Sequence, residues 1–385
     1  YGFPGYKNNF PKKNSLIVDR LSDAGAIIIG KTNTAELGIG GHTTNRLFGE
    51  TSNSFNLSKS AGGSSGGAGV AVSANLLPFA DGTDMMGSCR TPAAFSNIYG
   101  FRPTPGLIPD YRKNIKKDNF PILSTAGCMA RTPSDLVIIL DVVSGKHKHD
   151  PYSFSLKNRF EDTEIKYEDF SNLKIAWLGD MNNSYKFEKG IFEICEERLK
   201  SLEKNKIKIE KLNPKLNLNY LWESWCILRS KSIYEDIISM KLKDINEMNP
   251  QAIWEYNKGN KLNDENIKNA INLREICNDE VNKIFQKYDF LALPSQQVFP
   301  FEKNLQYPNQ INNEILDTYH RWIEVVILSS LLNLPTINIP IGFNQEGLPI
   351  GMQIIGKKYE DLKVLAFAKK YEEIYKHSKT KPKLN

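Results

Sequence analysis

The segment Ala61-Gly62-Gly63-Ser64-Ser65-Gly66-Gly67-Ala68-Gly69 carries five glycines and two serines and runs directly into Val70 to Leu77. It reads as a glycine-rich loop opening onto a helix of small residues, and the neighbouring elements are placed from it. Downstream, Pro78 to Ala80 reads as extended, Asp81 to Ser88 as a turn, Pro92 to Ser96 as the first turns of a short helix and Ile98 to Phe101 as extended again. Upstream, Ser15 is placed to cap a helix through Leu16, Ile17, Leu21 and Ala24, which Gly25 stops before the strand-like run Ala26 to Ile29. This alternation predicts an α/β fold with a mixed or parallel sheet.

Farther along, Thr132-Pro133-Ser134-Asp135 predicts a capped helix through Val143. Strand Leu173 to Leu178, helix Ile191 to Leu202 and strand Ile207 to Ile209 follow, and then a long amphipathic helical stretch from Leu216 to Tyr288. Strand Phe290 to Pro294, helix Ile315 to Leu332, strands Thr336 to Ile339 and Leu348 to Ile355, and a last helix Tyr359 to Tyr375 return to the sheet. Without an internal repeat or low-complexity tract, the chain reads as one large domain with a helical insertion. Its parts are a core over about 1–150, the helical segment over about 216–288 and a return to the sheet over about 289–376.

Composition narrows the function. The 385 residues are 40% hydrophobic and 24% charged, ordinary for a globular chain, and the formal net charge of +6 is dispersed among acidic residues. Nucleic acid is therefore not an expected partner; Arg112 to Lys117 reads as a solvated loop and Lys376 to Lys383 as a solvated tail. The most apolar late segment, Trp322 to Leu334, is interrupted by Glu324, Ser329, Ser330 and Asn333, too short and polar to span a bilayer. Five cysteines, Cys89, Cys128, Cys195, Cys226 and Cys277, lack any zinc-type spacing and read as reduced thiols of a cytoplasmic protein.

Two familiar readings of the glycine-rich segment fail. Phosphate binding by a Walker loop needs a lysine after the glycines, and the dinucleotide pattern of spaced glycines has no register over residues 61–69. A nucleophile elbow, G-x-S-x-G, is met twice, with Ser64 or Ser65 central, but Asn56-Leu57-Ser58-Lys59-Ser60 is too polar for the buried strand that should precede it. His147 and His149 sit in a lysine-rich loop that reads as a solvated turn, so no metal site is expected.

The whole run Ala61 to Gly69, then Pro78, then Gly82-Thr83-Asp84-Met85-Met86-Gly87-Ser88-Cys89-Arg90-Thr91-Pro92-Ala93-Ala94-Phe95 and Gly100-Phe101-Arg102-Pro103-Thr104, closely resembles the amidase signature family. Gly30-Lys31-Thr32-Asn33 with Glu36, Gly127 to Thr132, Pro340 to Phe343 and Gly347 to Gln353 extend the resemblance over nearly the whole chain, though weakly between about Leu156 and Tyr288. It implies a large mixed β-sheet flanked by helices and a hydrolase cleaving small-molecule amides by a Ser-cisSer-Lys mechanism, with no metal, cofactor or nucleic acid, no membrane, and at most a second copy of the chain as partner.

Residue by residue, the resemblance makes Ser88 the nucleophile and Ser64, held by a cis peptide bond, the proton relay. The backbone N–H groups of Met85, Met86, Gly87 and Ser88 become an oxyanion hole, Ser65 and Thr83 supply local hydrogen bonds, and Asp84 and Arg90 brace the loop as a charge pair. These are the parts amide hydrolysis needs: an activated nucleophile, stabilisation of the anion and a proton for the departing nitrogen. Two departures stand out. Met86-Gly87-Ser88, with a second bulky residue, Met85, before it, stands where the family usually has Gly-Gly-Ser, and a positive φ there would strain a methionine. The catalytic lysine is expected upstream of Tyr1, since Lys31 belongs to a different family element and the chain opens without methionine, as an N-terminally incomplete copy would. The rivals are a glutaminase component of a tRNA-dependent amidotransferase and a non-catalytic pseudo-amidase.

Overall fold

A computed structural model describes residues 1–111, 120–164, 166–242 and 244–383; the basic stretch Arg112 to Lys117 lies outside them. Eight strands form the central sheet: β1 (Phe79–Asp84), β2 (Tyr99–Arg102), β3 (Thr125–Ala130), β4 (Lys174–Trp177), β5 (Lys208–Lys211), β6 (Phe290–Pro294), β7 (Thr336–Phe343) and β8 (Pro349–Gly356). Their spatial order is β1-β3-β2-β7-β8-β6-β4-β5. Neighbours are antiparallel from β1 to β6, while β6, β4 and β5 run parallel, so the sheet is mixed as expected. Strands β2, β6 and β8 are buried along their whole length, and such strands read in sequence as short apolar or glycine-rich runs without alternation.

Helices flank this sheet: α1 (Leu16–Asp23), α2 (Gly66–Ser73), α3 (Arg90–Phe95), α4 (Pro133–Val143), α5 (Ile191–Lys204), α6 (Leu218–Met240), α7 (Pro250–Asn260), α8 (Asp264–Phe285), α9 (Ile327–Leu332) and α10 (Asp361–Tyr375). The cap at Thr132 forms as predicted, its hydroxyl accepting from the Asp135 N–H, and Ser15 occupies the first cap without a side-chain bond. Between β5 and β6 the chain is helical, with α6 packed on both α7 and α8. No helix among the described residues is long and apolar enough to cross a membrane. The tail lysines Lys376, Lys379, Lys381 and Lys383 are exposed, and all five cysteines are buried free thiols.

Three expectations need correction. Ala26 to Ile29 is not a strand: the Ala26 N–H turns back to the Leu21 carbonyl, no described strand offers a ladder, and Ile27 is 86% exposed. The turn expected from Asp81 begins only after Asp84, because β1 pairs with β3 up to the Asp84–Thr125 register. The helix expected over Ile315 to Leu332 is broken. Glu314–Ile315 pairs with Gln310–Ile311, a 3-10 turn covers Arg321–Val326, and only α9 is α-helical before Asn333 ends it at φ 59°. Trp322, Ile323, Val325 and Val326 are buried on every side, so no solvent face imposes the helical period there.

Candidate active site

Glycines bring two backbone segments together at Ser64. A Cβ on Gly63 would lie 2.8 Å from the His42 N and C atoms, and one on Gly67 2.5 Å from the Asn33 carbonyl oxygen. Neither neighbour is a side chain that could swing away. The Thr43 N–H donates to the Gly62 carbonyl at 3.0 Å, and the Ser64 carbonyl accepts from the Ala35 N–H (3.0 Å), the Thr34 hydroxyl (3.0 Å) and the Thr43 hydroxyl (3.2 Å). The Gly63–Ser64 peptide bond is cis. Ser64 is 3% exposed, and its hydroxyl has no hydrogen-bond partner among the described residues. Behind this turn the buried His42 ring spans the Lys303 carbonyl (2.8 Å) and the Ser60 hydroxyl (2.7 Å), which accepts from the Gly62 N–H at 3.0 Å.

The second serine loop leaves the end of β1 and is organised by Asp84. Its Oδ1 accepts from the Gly87 N–H at 3.0 Å and its Oδ2 from the Cys89 N–H at 3.2 Å. Arg90 closes on the same carboxylate through Nε (3.0 Å) and Nη2 (2.9 Å), with Arg102 a second cation at 3.5 Å. Burial would raise the Asp84 pKa, but Arg90, then Arg102 and the Cys89 N–H, hold it down at about 2. Burial in turn lowers Arg102 to about 10, against the opposing pull of Asp84. Arg90 spends its remaining N–H groups on the Val326 carbonyl, Ser329, Ser330 and Gln353, tying the loop to α9 and β8.

Gly87 takes the positive φ of this loop, +80°, and neither Met85 nor Met86 does. The two methionines are thus accommodated without left-handed backbone, with Met86 packed into the core. The Gly87 N–H, expected in the oxyanion hole, is already engaged by Asp84; those of Met85, Met86 and Ser88 have no partner among the described residues. Ser65 joins the loops through its backbone N–H, which donates to the Ser88 carbonyl at 3.4 Å. The supporting role of Thr83 is corrected. Thr83 is exposed on the edge strand, too far into solvent for its side chain to brace the site.

Ser88 faces a cavity of about 20 Å³, room for roughly one water. Gly38, Gly40 and Gly41 form one wall; Met85, Met86, Arg229, Tyr319, His320 and Ile323 form the rest, and no lysine is among the lining residues. Arg229, from α6, donates through Nε to Glu255 (2.8 Å) and through Nη2 to the Tyr319 hydroxyl (2.9 Å), which donates to Glu255 at 2.6 Å. A larger cavity of about 420 Å³, lined by Tyr185, Asn217, Arg321 and Glu324 among others, contains neither serine.

A near-buried serine with free N–H groups beside it, on a loop clamped by a fully buried ion pair, is suited to attack a carbonyl and hold the resulting anion. The family model for amidases matches residues 1–365. The chain belongs to the amidase family. An acylamidase of Rhodococcus erythropolis is 29% identical over 389 residues, covering 99% of this amidase and 79% of that relative. The A component of the glutamyl-tRNA(Gln) amidotransferase of Sulfolobus acidocaldarius is 28% identical, covering 95% of this chain and 80% of that one. Among solved structures, a bacterial aryl acylamidase of the amidase signature family superposes with a TM-score of 0.86 at 25% identity, covering 95% of this chain and 76% of that one.

Several residues at the amidase site carry little signal in the sequence. Arg102, Ser329, Ser330 and Gln353 complete the Asp84–Arg90 network, and only Arg102 and Gln353 stand inside the stretches that resemble the family. Arg229, Glu255, Tyr319 and His320 have no local signature, since the Arg229–Tyr319 contact joins residues 90 positions apart.

Proposed function

We propose that this amidase hydrolyses the C–N bond of a small carboxamide to acid and amine or ammonia, with Ser88 as nucleophile and Ser64 as proton relay. The observation that carries the reading is the placement of Ser88, beside the unpartnered N–H groups of Met85, Met86 and Ser88 itself and open to the cavity. Ser88 Oγ bonds to the amide carbon as its proton passes to Ser64, whose own proton goes to the base. The carbonyl oxygen, now an anion, takes the three N–H groups. Collapse expels the nitrogen, which receives a proton back through Ser64, and water then releases the acid by the same route.

The base is the lysine that the family resemblance implies, and it is neither Lys31 nor Lys7. Lys31 and Lys7 are both exposed, whereas a base for this role must be buried and neutral. The helical segment over about 216–288 lines the pocket through Arg229. Buried free thiols support a cytoplasmic setting.

The test is amide turnover by the protein, compared with Ser88→Ala and Ser64→Ala. Ser88→Ala should abolish hydrolysis, and Ser64→Ala should lower it by roughly two to four orders of magnitude. Unchanged rates in Ser88→Ala contradict the proposal, and inactivity of the intact protein on every amide favours a pseudo-amidase.

A further inference from the structure

One wall of the cavity beside Ser88 is a flexible side chain, Met85. Met85 is half-buried, and its Sδ accepts from Arg229 Nη1 at 3.2 Å. A thioether is a weak acceptor, so Nη1 is the most weakly satisfied nitrogen of the guanidinium, whose Nε and Nη2 bond to Glu255 and Tyr319 oxygens. The Arg229 charge is neutralised by Glu255, whose second oxygen accepts from the Ser230 hydroxyl at 2.6 Å. Burial opposes the Arg229 cation, but Tyr319 and Glu255 outweigh it and raise its pKa.

His320 forms the adjoining wall. Its ring is enclosed by Trp222, Trp254 and Tyr319, with centroids 4.7 to 5.7 Å away. Its Nδ1 is buried without a partner among the described residues, and Nε2 has only the Cys226 thiol at 3.9 Å. Burial, then the cations Arg229, Lys258 and Arg321, push its pKa well below the usual histidine range, so the ring is neutral. Arg229 and His320, each with a nitrogen whose hydrogen-bonding capacity is unused or weakly used, are therefore both lining residues of the pocket that Ser88 faces.

Resting on the reading of Ser88 as nucleophile, we infer that Met85 occupies the acyl subsite, and that the preferred substrate is an uncharged amide whose acyl part carries a hydrogen-bond acceptor that replaces the thioether on Arg229. The acceptor is a carbonyl, ether or hydroxyl oxygen and not a carboxylate. Arg229 and Glu255 already cancel, so a carboxylate would enter as a buried charge with no counter-ion. An amide bearing a free α-carboxylate, such as glutamine, is disfavoured for the same reason. Glu255 is thereby a specificity-determining residue that acts through Arg229.

The experiment is calorimetric titration of the Ser88→Ala chain with three matched amides, whose acyl ends carry a methyl ether, a carboxylate or a plain methyl group. The ether should bind at least about tenfold more tightly than either of the others. Glu255→Gln should shift the preference toward the carboxylate, and Arg229→Gln should remove the advantage of the ether over the methyl group. Met85→Ala should tighten all three, because no side chain then has to be displaced. Equal or tighter binding of the carboxylate by the unsubstituted pocket overturns the inference, even if the Arg229 and Glu255 variants do not fold. Ether binding without preference overturns only this inference, whereas lack of reaction at Ser88 with an acylating probe overturns the nucleophile assignment.

Discussion

Arg90 grips Asp84 through two hydrogen bonds, Nε to Oδ2 at 3.0 Å and Nη2 to Oδ1 at 2.9 Å, and neither side chain is exposed at all. The same carboxylate holds the Gly87 and Cys89 N–H groups on either side of Ser88, so the ion pair sets the shape of the nucleophile loop. Asp84→Asn leaves Arg90 and Arg102 without their counter-ion and should destabilise the fold by about 3–5 kcal/mol in denaturant unfolding.

The same pair predicts an acid limb. Because the folded-state pKa of Asp84 is depressed from 3.8 to about 2, its contribution is complete above about pH 4 and is lost as pH falls through about 2. Unfolding free energies measured from pH 6 to pH 2 should fall more steeply below pH 4 in the unsubstituted protein than in Asp84→Asn.

Gly63→Ala should destabilise by roughly 1–3 kcal/mol or more, since the new methyl would sit 2.8 Å from the His42 backbone. Gly30→Ala is the control: nothing lies within 4 Å of its added Cβ and its φ is not positive, so its midpoint of unfolding should match or slightly exceed that of the parent.

Ile27→Lys should change stability by no more than about 0.5 kcal/mol, because Ile27 is 86% exposed and pairs with no strand among the described residues. A loss of several kcal/mol in thermal unfolding would show that the run Ala26 to Ile29 is covered in solution.

All five thiols should resist a thiol reagent in the folded state and react together once the chain is unfolded. Burial pushes every one of them up, Cys277 to about 11 and Cys226 to about 12, so almost no thiolate is present at neutral pH.

The parts of the site that are legible in the sequence are those whose chemistry is local. Glycine at positions 63 and 67 is required because backbone passes where a Cβ would be, and a close approach of that kind leaves a glycine-rich signature in the chain itself. Asp84 and Arg90 are six positions apart and can be read as a pair for the same reason. The Arg229 wall of the cavity is invisible at that level because Arg229, Glu255 and Tyr319 meet only when α6, α7 and the segment before β7 pack together. The broken helix before Asn333 escapes because its apolar residues are buried all round, which removes the periodicity that a helix or its absence would show. Thr83 misleads because residue type says what a hydroxyl can bond and not where the backbone points it.

The central claim, that Ser88 is the residue acylated by substrate, is tested most directly by peptide mass spectrometry of the protein after reaction with a fluorophosphonate probe. The adduct should map to Ser88 and be absent from Ser88→Ala, with slower labelling in Ser64→Ala. An adduct on Ser64 or Ser65 would contradict the account and return the nucleophile to the glycine-rich loop.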